Sequence, residues 1–278
     1  AIISEDLNNN IFWDKIDNSS VLTGQGTPGN LAIWTTDSEL GDAPVKLGAG
    51  NVSLIFNNSS IADGDYSNAL GDNSQAHGTA SIAVGTNSQT DGNNSISVGL
   101  STSAIGNGSI AMGLNSTATG DGSVAMGGGA QTTGSRSVAM GGNAFAEGAY
   151  SISLGLNTSA EGDASVALGQ GTQATDDNAT AIGILTTADA PGAVSLGTQT
   201  NALGTNSLAG GDGSLSDGIA AFSFGGQTQA EADFSVAMGL LTKATGNAST
   251  AMGQNTEASG DNSVAIGSGS EATGDGST

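Results

Sequence analysis

Apolar and small residues alternate in short bursts along most of the chain, and the bursts recur every fourteen residues. Ser123-Val124-Ala125-Met126-Gly127 returns as Ser137-Val138-Ala139-Met140-Gly141. It precedes itself as Ser109-Ile110-Ala111-Met112-Gly113 and ends as Ser263-Val264-Ala265-Ile266-Gly267. The closing glycine falls at every fourteenth position from Gly71 to Gly267 without insertion or deletion. A fixed short period dictates a stacked architecture. Each period holds two extended pieces, such as Ser116–Thr119 and Ser123–Met126, separated by Gly113 and Gly120. This predicts an all-β fold, a parallel β-roll of about fifteen flattened coils with two strands and two turns each. Both glycines are expected at turns that need positive φ. At about 4.8 Å per coil the stack is roughly 70 Å long.

Side chains alternate across a strand. A fourteen-residue coil is too narrow to enclose Val or Met, so Ser123, Ala125 and Ala118 should point inward. The large set then points outward as an aliphatic stripe: Ile110, Met112, Val124, Met126, Val138, Met140, Ile152, Leu154, Val166 and Leu168. Phe222, Phe224, Val236, Met238, Val264 and Ile266 continue it. A long exposed apolar stripe marks an interface. Each residue buried there contributes about 1.5–3 kcal/mol. These residues are therefore expected to bury themselves between copies of the chain. The second strand carries polar outward residues, as in Thr158-Ser159-Ala160-Glu161-Gly162, and should be solvated.

The Ser-Val-Ala-Met/Ile-Gly and Ser/Thr-x-Ala-x-Gly pattern resembles the head repeats of YadA-like trimeric autotransporter adhesins. Asp261-Asn262-Ser263-Val264-Ala265-Ile266-Gly267 is closely similar to that family's hallmark motif. The resemblance covers about 67–277. It implies a left-handed parallel β-roll, three rolls about a threefold axis, and adhesion to a host-cell surface receptor, glycan or matrix protein. The hand comes from the family, since the general crossover rule favours the right hand. Head repeats of this kind also occur in phage tail fibres. An extracellular bacterial surface and a virion tail fibre thus both fit.

Residues 1–65 do not follow the repeat and read as a small β-rich connector, with the roll over 66–278. Ile11-Phe12-Trp13, Leu31–Trp34 and Val52–Phe56 are its strand candidates. Thr23–Asn30 and Gly41–Pro44 are its turn candidates. The stretch Thr23–Val45 resembles a connector of phage tail fibres. The chain begins at Ala1 and stops within a new repeat, so it is expected to be a piece of a longer one.

Composition narrows the function classes. The chain has 46 glycines in 278 residues and a net charge of −22, from 26 acidic and 4 basic residues. Nothing in that balance neutralises phosphates, so neither nucleic acid nor an anionic membrane is an expected partner. No apolar run reaches the ~20 residues that span a bilayer, so direct membrane insertion is not expected of this segment. The absence of cysteine removes disulfides and thiol chemistry. Catalysis needs converging unlike groups. The single histidine, His77, has no evident partner, and acidic residues such as Asp121, Asp163 and Asp261 sit where Asp favours turns. No catalytic, cofactor or metal site is expected, and the sequence does not mark the receptor-binding residues.

Three irregularities stand out. The second-turn glycine becomes Asp176, Ala190 and Ala232. Gly210 empties one stripe position just before Phe222 and Phe224, and the irregular coils over about 176–234 read either as compensation for that gap or as a local binding surface or bend. Tyr66, Tyr150 and Phe234 share stripe parity and should pack at its edge. A second function class, an ice-binding β-solenoid, needs a flat threonine array. Thr172, Thr186, Thr200, Thr228, Thr242 and Thr256 recur at one position, although Ser214 breaks the series.

Overall fold

The structure is a computed structural model. It describes residues 59–278 and, before them, the backbone course of six strands: Ile2–Glu5, Ile11–Ile16, Val21–Leu22, Asn30–Thr36, Glu39–Leu47 and Leu54–Ile55. Two compact units divide the chain, Ala1–Gly108 and Ser109–Thr278. Every described element is a β-strand, which confirms the all-β class, and in the repeats the pairing is parallel.

In the first unit, Ile2–Glu5, Ile11–Ile16 and Val21–Leu22 form an antiparallel sheet. Asn30–Thr36 and Glu39–Leu47 pair antiparallel, and Glu39–Leu47 also pairs with Leu54–Ile55. The turn expected at Gly41–Pro44 is instead strand. Pro44 falls where the register shifts between the Ala32–Asp42 and Asn30–Lys46 pairs, a bulge that accommodates its missing N–H. The turn expected at Thr23–Asn30 lies, up to residue 29, outside the described residues. Leu54–Ile55 then pairs parallel with Asn68–Leu70, and Ile61–Ala62 between them pairs parallel with Gln75–Ala76.

The second unit is a parallel β-solenoid of fourteen-residue coils. One wall stacks long strands, from Ile110–Leu114 and Val124–Gly128 to Val264–Ser268. The other stacks two-residue strands, from Thr117–Ala118 and Gln131–Thr132 to Glu257–Ala258 and Glu271–Ala272. Register is constant: Val124 lies over Val138, Ala125 over Ala139, Met126 over Met140.

The core is small, as expected. Ser123, Ala125 and Ala118 are fully buried, and threonine is the largest residue type wholly enclosed. Hydroxyls bridge the lumen where the sequence supplies two. Ser153 Oγ lies 2.7 Å from Thr158 Oγ1, and Ser195 Oγ lies 2.8 Å from Thr200 Oγ1. Where alanine replaces that serine, at Ala167 and Ala181, Thr172 and Thr186 have no hydroxyl partner. A buried polar group left unpaired costs about 1–3 kcal/mol. Ser153→Ala should therefore destabilise by about 1–2 kcal/mol, whereas Ala167→Ser should stabilise by about 1 kcal/mol. Denaturant midpoints check both signs, and a shift in the same direction for the two would refute the pairing.

The underlying unit is seven residues long. The residue before the first inward Ser, Thr or Ala of each half-coil has left-handed φ, as at Asn115 (53°), Gly122 (66°), Gly129 (72°), Arg136 (57°) and Asn143 (52°). Two such corners close each coil, and the fourteen-residue period arises because alternate half-coils carry the long strand. Asn and Gly dominate the corners because they accept this conformation most cheaply.

The two glycine series differ, and here the expectation needs correction. Gly127 has φ 136°, so it belongs to the positive-φ class, but it lies inside the strand Val124–Gly128 and not after it. Gly134 has ordinary φ. A Cβ on it would strike the carbonyl oxygen of Gly148 one coil on, so close stacking is what requires glycine there. The departures Asp176, Ala190 and Ala232 all fall in this second series.

Candidate interaction surfaces

The outward residues of the long wall form two ladders in the second unit. One runs Ile110, Val124, Val138, Ile152, Val166, Thr180, Val194, Leu208, Phe222, Val236, Thr250, Val264. The other runs Met112, Met126, Met140, Leu154, Leu168, Ile182, Leu196, Gly210, Phe224, Met238, Met252, Ile266. All sixteen stripe residues named from the sequence stand on these ladders. Met140, Ile152, Phe224 and Ile266 are exposed and the rest are half-buried, because each is covered in part by its ladder neighbours.

A third apolar position lies beyond the two expected from the sequence. The long strand continues past its glycine, and Leu114, Leu156, Ile184 and Leu240 stand exposed there. The signal is present in the sequence, as a leucine or isoleucine just after the repeat glycine. Large side chains lean over a glycine one coil earlier. A Cβ on Gly142 would lie 2.9 Å from Leu156 Cδ1, and one on Gly210 would lie 2.5 Å from Phe224 Cδ2. Phe224 thus fills the place that Gly210 leaves empty. Its ring stacks on Phe222 with centroids 6.3 Å apart.

The short wall and the corners are mostly polar, although Tyr150, Leu185, Phe234 and Leu241 stand exposed at corners. Carboxylates and amides at the turns cap the coil before them. The backbone N–H of Ala149 donates to Asp163 Oδ1 (2.7 Å), that of Asp163 to Asp177 Oδ1 (2.9 Å), and that of Asn247 to Asp261 Oδ1 (2.9 Å). Asp at these positions therefore links successive coils as well as favouring the turn. Asn143 Nδ2 donates to Asn157 Oδ1 at 3.1 Å along the other corner.

Three expectations about single residues need correction. His77 is partnered: its Nδ1 is 2.7 Å from Asp63 Oδ1, one coil back, and its Nε2 is 3.1 Å from Gln75 Oε1. Ser74 and Ser81, close in sequence, are sealed in the lumen. The parity that Tyr66, Tyr150 and Phe234 share with the stripe does not place them in it, since they lie outside the strands. They occupy left-handed corners with φ of 61°, 61° and 58° and are 58%, 56% and 64% exposed. Arg136 lies one coil from Tyr150, donating to its hydroxyl at 2.6 Å with Cζ 5.5 Å from the ring centroid. Thr172, Thr186, Thr200, Thr228, Thr242 and Thr256 point into the lumen and are fully buried. They share the inward parity of the short strand's alanine, so no threonine array faces solvent at that position.

Among the described residues no three His, Cys, Asp or Glu side chains gather as a metal site, and no helix is long and apolar enough to cross a membrane.

A parallel solenoid of fourteen-residue coils, small inside and aliphatic along one outer wall, defines the class. The family model for the YadA head domain repeat (2 copies) matches residues 62–88, 76–102, 104–130, 133–158, 160–184, 188–214, 216–241, 244–270 and 258–278. The chain belongs to the YadA head repeat family, whose matches extend over most of its length. Membership implies a homotrimeric, extracellular fibre segment of the adhesin type. No curated protein matches the chain.

Proposed function

We propose that the chain is a non-enzymatic segment of a trimeric fibre that combines adhesion with rigid spacing, on a bacterial surface or a virion tail fibre. In this reading residues 1–65 connect and 66–278 form the roll. The long walls of three copies meet about the threefold axis and bury the two aliphatic ladders. The short walls and corners face outward and meet a cell-surface receptor, a glycan or a matrix protein. The observation that carries this reading is the in-register ladder of Val, Ile, Met and Leu on a single wall. An apolar surface of that length is not left to water. Ice binding is not favoured, because its threonines are internal.

Beads coated with the full chain test the adhesive part. They are expected to be retained on at least one of a panel of cells, glycans and matrix proteins, where beads bearing an unrelated acidic protein are not. Retention on none of these, with the chain trimeric, would leave rigid spacing as the function.

A further inference from the structure

We propose that the step from Leu208/Gly210 to Phe222/Phe224 sets the axial register in which three copies of the chain pack. The inference rests on the long wall being the homotrimer interface.

From Ile110 to Leu168 the two ladders of the wall are nearly uniform. Successive outward pairs read Ile/Met, Val/Met, Val/Met, Ile/Leu and Val/Leu. Sliding one copy by a single coil, about 4.8 Å, would set aliphatic residues against others of nearly the same volume. Such a pattern specifies register weakly, as uniform strand pairings do. Closed assembly of identical chains then needs a feature that occurs once and penalises the slipped alternatives.

The Gly210–Phe224 step is such a feature. It is the largest volume change between stacked positions on either ladder, from no side chain to an aromatic ring. The ring is held in place, since it covers Gly210 and stacks on Phe222. It remains 48% exposed and so projects from the wall. With the chains in register, the three Phe224 rings meet at one height. After a slip of one coil, a ring of one copy opposes the Met238 or the Gly210 level of another, and the projecting layer no longer closes on itself. Thr180 and Thr250 also interrupt the first ladder, but each is near valine in volume and makes no such step.

Absence of native cysteine allows a clean test. Full-length chains carrying Met126→Cys and Met140→Cys are unfolded together, refolded as a mixture and oxidised. Bridges between like positions report trimers in register, and bridges between 126 and 140 report a slip of one coil. The unaltered wall is expected to give mainly like bridges. Combining Gly210→Met, Phe222→Val and Phe224→Met writes the ordinary Val/Met spelling into the step. Gly210 has ordinary φ, so methionine fits its backbone. The proportion of 126–140 bridges should then rise at least fivefold. A milder pair, Gly210→Ala with Phe224→Leu, should give an intermediate rise and guards against misfolding of the triple variant. Unchanged proportions in both variants, at trimeric mass, would overturn the register role and leave the interface reading intact. A monomeric mass, or no like bridges at all, would overturn both.

Discussion

Met126→Asp is expected to break the assembly into single chains. Met126 stands in the middle of a continuous apolar ladder, between Met112 and Met140. In a threefold assembly one substitution places three carboxylates at one level of a water-poor seam. An unpaired buried charge costs several kcal/mol even after relaxation. Each outward aliphatic is already half-covered within its own chain, so its burial between chains adds about 1 kcal/mol. The seam is therefore strong as a sum and weak at any one level, and local opening around position 126 should spread. Sedimentation should show loss of the trimer at micromolar concentration. Gln131→Asp serves as the control, since Gln131 is exposed on the short wall and the substitution adds the same charge there. Equal loss of mass in both variants would show that the long wall is not the seam.

Gly127→Ala is expected to destabilise far more than Gly134→Ala. At Gly127 two penalties coincide. Its φ of 136° lies where residues with a side chain are rarely found, and a Cβ would strike Gly141 of the next coil. Backbone strain of that kind costs about 1–3 kcal/mol, and overpacking adds a similar 1–3 kcal/mol. At Gly134 only the second applies, since φ is ordinary. The chain itself supports this ordering. Ala190, Ala232 and Asp176 occupy the Gly134 series, whereas from Gly71 to Gly267 the Gly127 series is unbroken. Thermal melts at a fixed protein concentration should place Gly127→Ala well below Gly134→Ala. A reversed order would contradict the assignment of strain to the first series alone.

The fourteen-residue coil, its small lumen and its aliphatic wall were legible in the sequence. Each follows from period, strand alternation and the size of Ser and Ala against Val and Met. The seven-residue half-unit was hidden because its two copies differ in strand length, five residues at Val124–Gly128 and two at Gln131–Thr132. The places of Tyr150 and Phe234 were hidden because strand parity does not carry across a corner, where left-handed φ resets the direction of the side chain. The reason for the second glycine was hidden because positive φ and close stacking select the same residue. The partner of His77 was hidden because Asp63 lies fourteen positions away, a neighbour only once the coils are stacked. The inward threonines were legible in principle, since Thr172 is two residues before Ala174 and so shares its parity.

The central claim is that the exposed aliphatic wall exists to be shared among three copies. The most direct measurement is the mass of the full chain in solution by light scattering. One chain is 26.7 kDa. A mass of three chains, about 80 kDa, holding down to micromolar concentration, is what the wall predicts. A stable single-chain mass, with the wall still exposed and the protein still folded, would contradict it.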